Sequence, residues 1–491
     1  MMLSKRIKTI LLCVIVLSLN LPGLWADGDY GNSVVAIRIT IQQWDHHNPW
    51  QKYSPDTSSV SGIVIDGDRI LTEAYPLTDH QLIQVMKNGD TRKYAGRVEL
   101  KDYNANLAVI TVPEEGFFEN LNPVTFNKPG IPEGKTETAL WEGGADFKIY
   151  ETEYIKTYVK TYKYSALSIC HRMSTEQSGS ARGQPVFDEQ GHCFGLVTNK
   201  LNGNGAVEVI SVDTIHRFLK DLDDGTYEGV PSFWIENSPL RGDVHLKNYL
   251  GVAADQKGIY VSRVPASSSF SDTLLHNDVI IEIDNYVIDD SGNYDDPSYG
   301  KLYFPGIAAS KHQVGDEITL KIIREGKETE VSSVCRPVNN DKFYIPPREN
   351  DIKPGYFLFG GMLFQELTRD YLTAFGRNWR QDADTRILYL YDTFEVYPEP
   401  GRRRIVILNK VFPHSVNIGY HRLKNEVLDT VDGIKVRDLA HAWELLKSTE
   451  EEFVRIAFSG GAEIILSPAA ASAADKEILQ NYGIPALSEM Q

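Results

Sequence analysis

The chain has 491 residues, 42% of them hydrophobic and 24% charged, an ordinary globular composition with room for about three domains. Its formal charge of −17 excludes a nucleic-acid binder, whose affinity is built on Lys and Arg meeting phosphates, and argues against an anionic membrane surface as ligand. No Cys/His cluster has zinc spacing, so no metal is expected, and no cofactor either.

Lys5, Arg6 and Lys8 precede an apolar run from Ile10 to Leu19, Pro22-Gly23 break it, and Ala26 is a small residue suited to signal peptidase. Residues 1–26 are therefore expected to be a cleaved signal peptide and the protein to be exported, periplasmic or secreted. The run is too short for a comfortable span and no later stretch approaches about 20 apolar residues, so no membrane span is expected after cleavage. Fifty Lys/Arg less three, against 67 Asp/Glu, leave a mature charge of about −20. Export places Cys170, Cys193 and Cys335 in an oxidising compartment. The sequence leaves open whether Cys170 and Cys193 are bonded or are two small buried hydrophobes.

Short strands follow in close order: Val34 to Ile41, Gly62 to Thr72 folded at Asp66-Gly67, Leu82 to Met86, Leu107 to Val112, Glu137 to Trp141, Ile149 to Lys163 and Val207 to Ile210. Hardly any helix intervenes before Thr214 to Leu222, so this part reads as an all-β barrel or sandwich. Tyr150, Tyr154, Tyr158, Tyr162 and Tyr164 fall at even positions, one face of a strand, and read as barrel core or a cross-strand ladder. Within the same part, Ser178 to Asp188 forms a Gly-rich elbow feeding Pro185, a strand, a turn at Glu189-Gln190-Gly191 and a second strand from Cys193.

Pro231 to Arg241 reads as a linker. A module beyond it contains Tyr249-Leu250-Gly251-Val252, a strand from Gly258 to Val264, Val279 to Asn285, and a hairpin at Glu325-Gly326. A second linker, Pro337 to Pro354, leads to a repeat of the theme. There Val427 to Gly433 (Val-Leu-Asp-Thr-Val-Asp-Gly) matches Val279 to Asn285 (Val-Ile-Ile-Glu-Ile-Asp-Asn), and Leu439 to Leu446 is an amphipathic helix.

In this order the segments resemble the HtrA/Deg family of exported serine proteases, in the long two-PDZ form described from plants. Asn48-Pro49-Trp50-Gln51, Arg69-Ile70-Leu71-Thr72, Phe359-Gly360-Gly361-Met362-Leu363-Phe364, Val416-Asn417-Ile418-Gly419-Tyr420 and Ile478 to Pro485 carry the likeness. It implies a mostly β fold, a chymotrypsin-like double β-barrel followed by two PDZ domains, β-rich with short helices. The expected boundaries are 30–225 for the protease-like domain, 231–337 for the first PDZ domain and 355–491 for the second with its tail.

The resemblance also places three catalytic positions, and each departs from the family. The general-base His of Leu-Thr-Asn-Ala-His is Tyr75, a phenol with a pKa near ~10 and a poor base at neutral pH. The Asp is Asn106, which would not stabilise an imidazolium. Counting back three from Pro185, the nucleophilic Ser of Gly-Asn-Ser-Gly-Gly-Pro is Arg182, which cannot attack a carbonyl. Gln184 replaces the second elbow Gly. Ser178, Ser180, His80 and Asp102 are the substitutes available to a non-standard active site.

The expectation is a pseudoprotease, a chaperone, adaptor or assembly subunit that binds unfolded or C-terminal peptides. Tyr249, Leu250, Gly251 and Val252 are its expected carboxylate-binding loop, the strand from Gly258 its docking edge, and Phe359-Gly360-Gly361-Met362 the corresponding loop of the second module. The family also implies trimer-based assembly, with itself or with an active relative. The alternative is an active serine endopeptidase of protein quality control. Arg182 is further expected to fill the old cleft and pair with a carboxylate.

Overall fold

A computed structural model of the chain describes residues 30–142, 146–162, 165–177, 182–201, 205–223, 227–240, 242–347, 349–393 and 399–490. The expected signal segment, the elbow residues Ser178 to Ala181 and Tyr164 lie outside the described residues.

The strand Val34–Ile41 is apolar and buried on both faces over its first four residues, before Arg38 turns to solvent. Val35, Ile37 and Ile39 point into one core with Ile70, Ile83, Val85 and Ile110, while Val34 joins Ile63, Leu71 and Val109 in a core shared with the next sheet. Seven strands are ordered Tyr94–Ala95, His80–Met86, Val34–Ile41, Asp56–Ile65, Arg69–Thr72, Leu107–Thr111 and Arg97–Asp102. The two end strands are joined by Gly96 alone, so the sheet rolls until its edges meet. The hairpin expected at Asp66-Gly67 is present, with Gly67 at φ 80° and Asp68 at φ 56°.

Residues 136–211 form a closed barrel of six strands, including Asp146–Tyr162, Ser165–Thr175, Pro185–Phe187 and Cys193–Leu201. Cys170 and Cys193 are buried free thiols, separated in the barrel by the strand Ala206–Ser211. Of the aromatic stripe, Tyr158 packs on this barrel's core and its hydroxyl donates to Glu208. The helix expected from Thr214 runs over Val212–Asp223.

A third sheet is ordered Glu236–Pro239, Ile259–Arg263, Val279–Ile283, Glu317–Arg324 and Lys327–Val334. It leans on the second barrel. Ile169 and Val159 of the barrel pack in its core, a Cβ on Gly306 would lie 2.8 Å from Val159, and the Tyr299 hydroxyl donates to Asp213. The fourth sheet has eight strands, with Tyr356–Phe359 lying between Met362–Glu366 and Ser488–Glu489. The repeated motif has the same turn in both sheets, left-handed at Asp284-Asn285 and at Asp432-Gly433. Both turns reverse a strand into a short partner, Tyr286–Val287 in one and Ile434–Lys435 in the other.

The loop between Ile41 and Asp56 reaches from the first barrel to the fourth sheet as a clasp. The carbonyls of His46 and His47 accept from Gln365 Nε2 (3.1 Å) and Asn409 Nδ2 (3.0 Å), and Asn48 Oδ1 accepts from Lys410 Nζ (2.8 Å). The Trp50 ring packs on Tyr356 and Phe412 at 5.4 and 6.0 Å between centroids. A second strut runs from Asp351 to Lys101 (2.5 Å), to the Tyr103 hydroxyl and to the Asp79 N–H (2.8 Å). Truncating the indole removes the apolar part of the clasp, so Trp50→Ala is expected to weaken docking by about 2–4 kcal/mol. Limited proteolysis across 337–354 should accelerate at least about tenfold in that variant, and an unchanged cleavage rate would show that the clasp does not hold the sheet in place.

Candidate functional site in the cleft between the first barrel and the fourth sheet

The strand Arg69–Thr72 ends by delivering Glu73 into the protein rather than out of it: Glu73 is 0% exposed. A single 3-10 turn, Tyr75–Leu77, follows, with Pro76 fixing its start. Asn106 takes a left-handed backbone (φ 54°), which Asn tolerates better than most residues. Its side chain is committed at both ends. Oδ1 accepts from the Tyr75 N–H at 3.0 Å and Nδ2 donates to Glu73 Oε1 at 2.9 Å. The Tyr75 ring leans on Tyr103, 5.7 Å between centroids.

Arg182 is brought to the same place by its backbone, whose carbonyl accepts from the Ser61 N–H at 3.0 Å. Gly183 explains how the elbow fits. It sits at φ 72°, and a Cβ there would lie 2.1 Å from the Ser61 carbonyl oxygen, which also accepts from Thr72 Oγ1 at 2.7 Å. Gly183→Ala sets a left-handed backbone and a main-chain clash together, and is expected to cost at least about 3 kcal/mol in a urea melt. A wild-type melt for that variant would contradict this packing. Gln184 is accommodated because its side chain is buried toward the second barrel, where Oε1 accepts from Thr138 Oγ1 at 3.2 Å.

Tyr75, Asn106 and Arg182, separated by up to 107 residues, thus line one cleft of about 1150 Å³. Lys160, Thr198 and Asn199 extend the wall from the second barrel, and Arg369, Asp370, Trp379 and Tyr391 form the opposite wall. Those last residues belong to the helices Arg369–Thr373, Trp379–Asp382 and Thr385–Thr393, a stretch that sequence reasoning left unread. Its signals were the N-cap Thr368, whose side chain accepts from the Tyr371 N–H, and the buried pair Ile387 and Tyr391 one turn apart.

Burial pushes the Glu73 carboxyl up to about 8, with the Arg182 guanidinium and the Asn106 hydrogen bond pulling the other way. Arg182 itself is exposed within the cleft. The carboxylate pairing expected for it is not found among the described residues, because Glu73 is turned away onto Asn106. Of the substitutes for a shifted active site, Ser178 and Ser180 lie outside the described residues, and His80 and Asp102 are each engaged elsewhere. His80 begins the strand His80–Met86 with Nδ1 against the Leu77 carbonyl (2.9 Å), and Asp102 is buried with the Tyr227 hydroxyl on it.

The expected peptide loop is also placed elsewhere. Tyr249 and Leu250 are the last turn of the helix Val244–Leu250, opened by the Asp243 side chain on the Leu246 N–H. Gly251 closes that helix at φ 68°, its N–H on the Asn248 and Lys247 carbonyls, and the Val252 N–H returns to the Lys247 carbonyl at 2.9 Å. These N–H groups cap a helix end and do not converge on a ligand carboxylate. The expected docking edge, Ile259–Arg263, is paired on both sides; the edge strands of that sheet are Glu236–Pro239 and Lys327–Val334. In the second module the Gly360 N–H (2.9 Å) and the Gly361 N–H hold the Asp475 carboxylate, a group of the protein itself.

Two packed β-barrels meeting over the three cleft positions, followed by two β-rich modules, define a chymotrypsin-like protease fold with β-rich modules appended. Residues 345–489 match a PDZ domain family. Protease Do-like 2, chloroplastic, from Arabidopsis thaliana is 25% identical over 472 residues, covering 94% of this chain and 76% of that protein. Protease Do-like 4, mitochondrial, from the same plant is 24% identical over 464 residues, covering 93% and 85%. Among solved structures, the HtrA-type protease AlgW with decapeptide aligns at a TM-score of 0.48 with 15% identity, covering 62% of this chain and 95% of that one. Over nearly its whole length the chain is thus similar to Do-like/HtrA serine proteases, with a PDZ domain at 345–489. Among the described residues no helix is long and apolar enough to cross a membrane.

Proposed function

We propose that this chain is an exported pseudoprotease of the Do-like/HtrA family that binds polypeptides and does not cut them. The observation that carries the reading is the chemistry gathered in the cleft. A phenol, an amide and a guanidinium stand at Tyr75, Asn106 and Arg182, and none of them is a base or a nucleophile at neutral pH. The amide of Asn106, bonded at both ends, is not free to orient a base. Capture of peptide is supported by the strand Glu236–Pro239, paired by Ile259–Arg263 on one side and by no other described strand on its outer side. An extended peptide adds there through main-chain hydrogen bonds.

Casein turnover and fluorophosphonate labelling test the first half of the reading. Both are expected at background, and a labelled serine would overturn it. A fluorescein-labelled unfolded peptide tests the second half: it is expected to bind, and to lose binding when alternate backbone nitrogens are methylated. For export, the N-terminal mass of the secreted protein is expected to begin at Asp27.

A further inference from the structure

We propose that the cleft seats a carboxylate of a bound polypeptide, its C-terminus or an Asp or Glu side chain, between the Arg182 guanidinium and the buried carboxyl of Glu73. This rests on the reading that the chain binds polypeptide.

The starting point is an unsatisfied atom. Glu73 is fully buried, Oε1 accepts from Asn106 Nδ2, and among the described residues Oε2 has no hydrogen-bond partner. A buried polar atom left unpaired costs about 1–3 kcal/mol, so native structures keep few of them. The network also fixes where the Glu73 proton lies. Asn106 Oδ1 is occupied by the Tyr75 N–H, so the amide presents its NH2 to Glu73, and Oε1 must be the accepting oxygen. With burial holding the acid largely neutral at pH 7, the proton is on Oε2, an O–H donor with no acceptor.

The charge that acts most strongly on Glu73 is of the sign that completes the site. Arg182 acts on Glu73 more strongly than any other charge; Lys160 and Glu208 act more weakly and with opposite signs. Three other cations of the cleft are engaged, Lys101 by Asp351, Lys160 by Glu208 and Arg380 by Asp392. Arg182 has no described carboxylate at ion-pair distance. An orphan donor and an unengaged guanidinium therefore face the same space, and the group that satisfies both is an anionic acceptor. A carboxylate does so with one oxygen on the Glu73 O–H and both on the guanidinium fork. A neutral amide satisfies only the first.

The test is fluorescence anisotropy on the full mature chain at pH 7 with four fluorescein-labelled ten-residue peptides. They are one with a free C-terminus, its C-terminal amide, and two amidated versions carrying a central Glu or a central Gln. The wild type is expected to bind the free-carboxylate and Glu peptides about tenfold or more tighter than their neutral counterparts. Arg182→Gln, at an exposed position, should keep its thermal melt and lose the preference. Glu73→Gln, which keeps an N–H donor near Oε2, should retain the preference at pH 7. It should also abolish the loss of affinity that the wild type shows as pH rises through about 8 and Glu73 ionises beside the ligand. An unchanged preference in Arg182→Gln overturns the proposal. Equal binding of all four peptides, lost on backbone N-methylation, also overturns it while leaving polypeptide binding in place. If no peptide binds the wild type, the reading beneath it fails too.

Discussion

The triple substitution Tyr75→His, Asn106→Asp and Arg182→Ser is expected to leave casein hydrolysis within about tenfold of background, where a repaired triad would restore 10⁴-fold or more. The obstacle is Glu73. The family pattern has Asn at that place, whereas this chain buries a carboxyl there, 2.9 Å from the Asn106 amide. An aspartate at position 106 puts two carboxyls in contact with no water between them, and like charges so placed cannot both ionise. They would share a proton instead of steadying an imidazolium. The amide donor that now satisfies Oε1 would also be gone, so the triple variant should melt earlier than the wild type. Adding Glu73→Asn removes the conflict, and the quadruple variant is the one in which activity should first rise. Robust casein turnover by the triple variant alone would show that the cleft is still organised for catalysis.

Glu73 also sets a pH dependence of stability, and its sign follows from the shift. The acid titrates near its ordinary value when unfolded and at about 8 when folded, so the folded protein holds the proton more tightly. Stability from this group is complete below about pH 4.5 and is lost as pH rises toward 8, at about 1.4 kcal/mol per pH unit, up to about 5 kcal/mol in all. Glu73→Gln keeps the shape and the Asn106 contact without the titration. Its urea midpoint is expected to match the wild type near pH 5 and to exceed it clearly at pH 9, with hydrogen exchange slowed over 73–77. Parallel pH profiles for the two proteins would mean that the carboxyl ionises in place without cost.

Much of this architecture was legible because its signals are local. Asp66-Gly67, Glu325-Gly326 and Asp432-Gly433 stand between apolar runs and each makes the turn expected of it, the left-handed pair being Gly67-Asp68 in the first and the named residues in the other two. The convergence of Tyr75, Asn106 and Arg182 was legible only through family likeness, since no periodicity links positions so far apart. Tyr249-Leu250-Gly251-Val252 misled because a glycine that ends a helix and a glycine that opens a carboxylate loop look alike in sequence. Asp243, eight residues upstream and capping the helix start, was the cue that distinguishes them. Nothing local marks Asp475 as the occupant of the Gly360-Gly361 loop, or Glu73 as buried; both depend on which surfaces the chain brings together.

The clasp has a consequence for biosynthesis. Its two halves are far apart in the chain: His47 and Asn409, which bond across it, are separated by 362 residues. At ordinary rates of about 5–20 residues per second, the loop carrying Trp50 is made roughly 20–70 s before the surface that covers it. Through that interval the nascent barrel displays an unshielded indole and an open cleft. A chain of this design therefore passes through an obligatory immature form, longer-lived the more slowly it is made, and slow translation is when it is most exposed to misassembly with its neighbours.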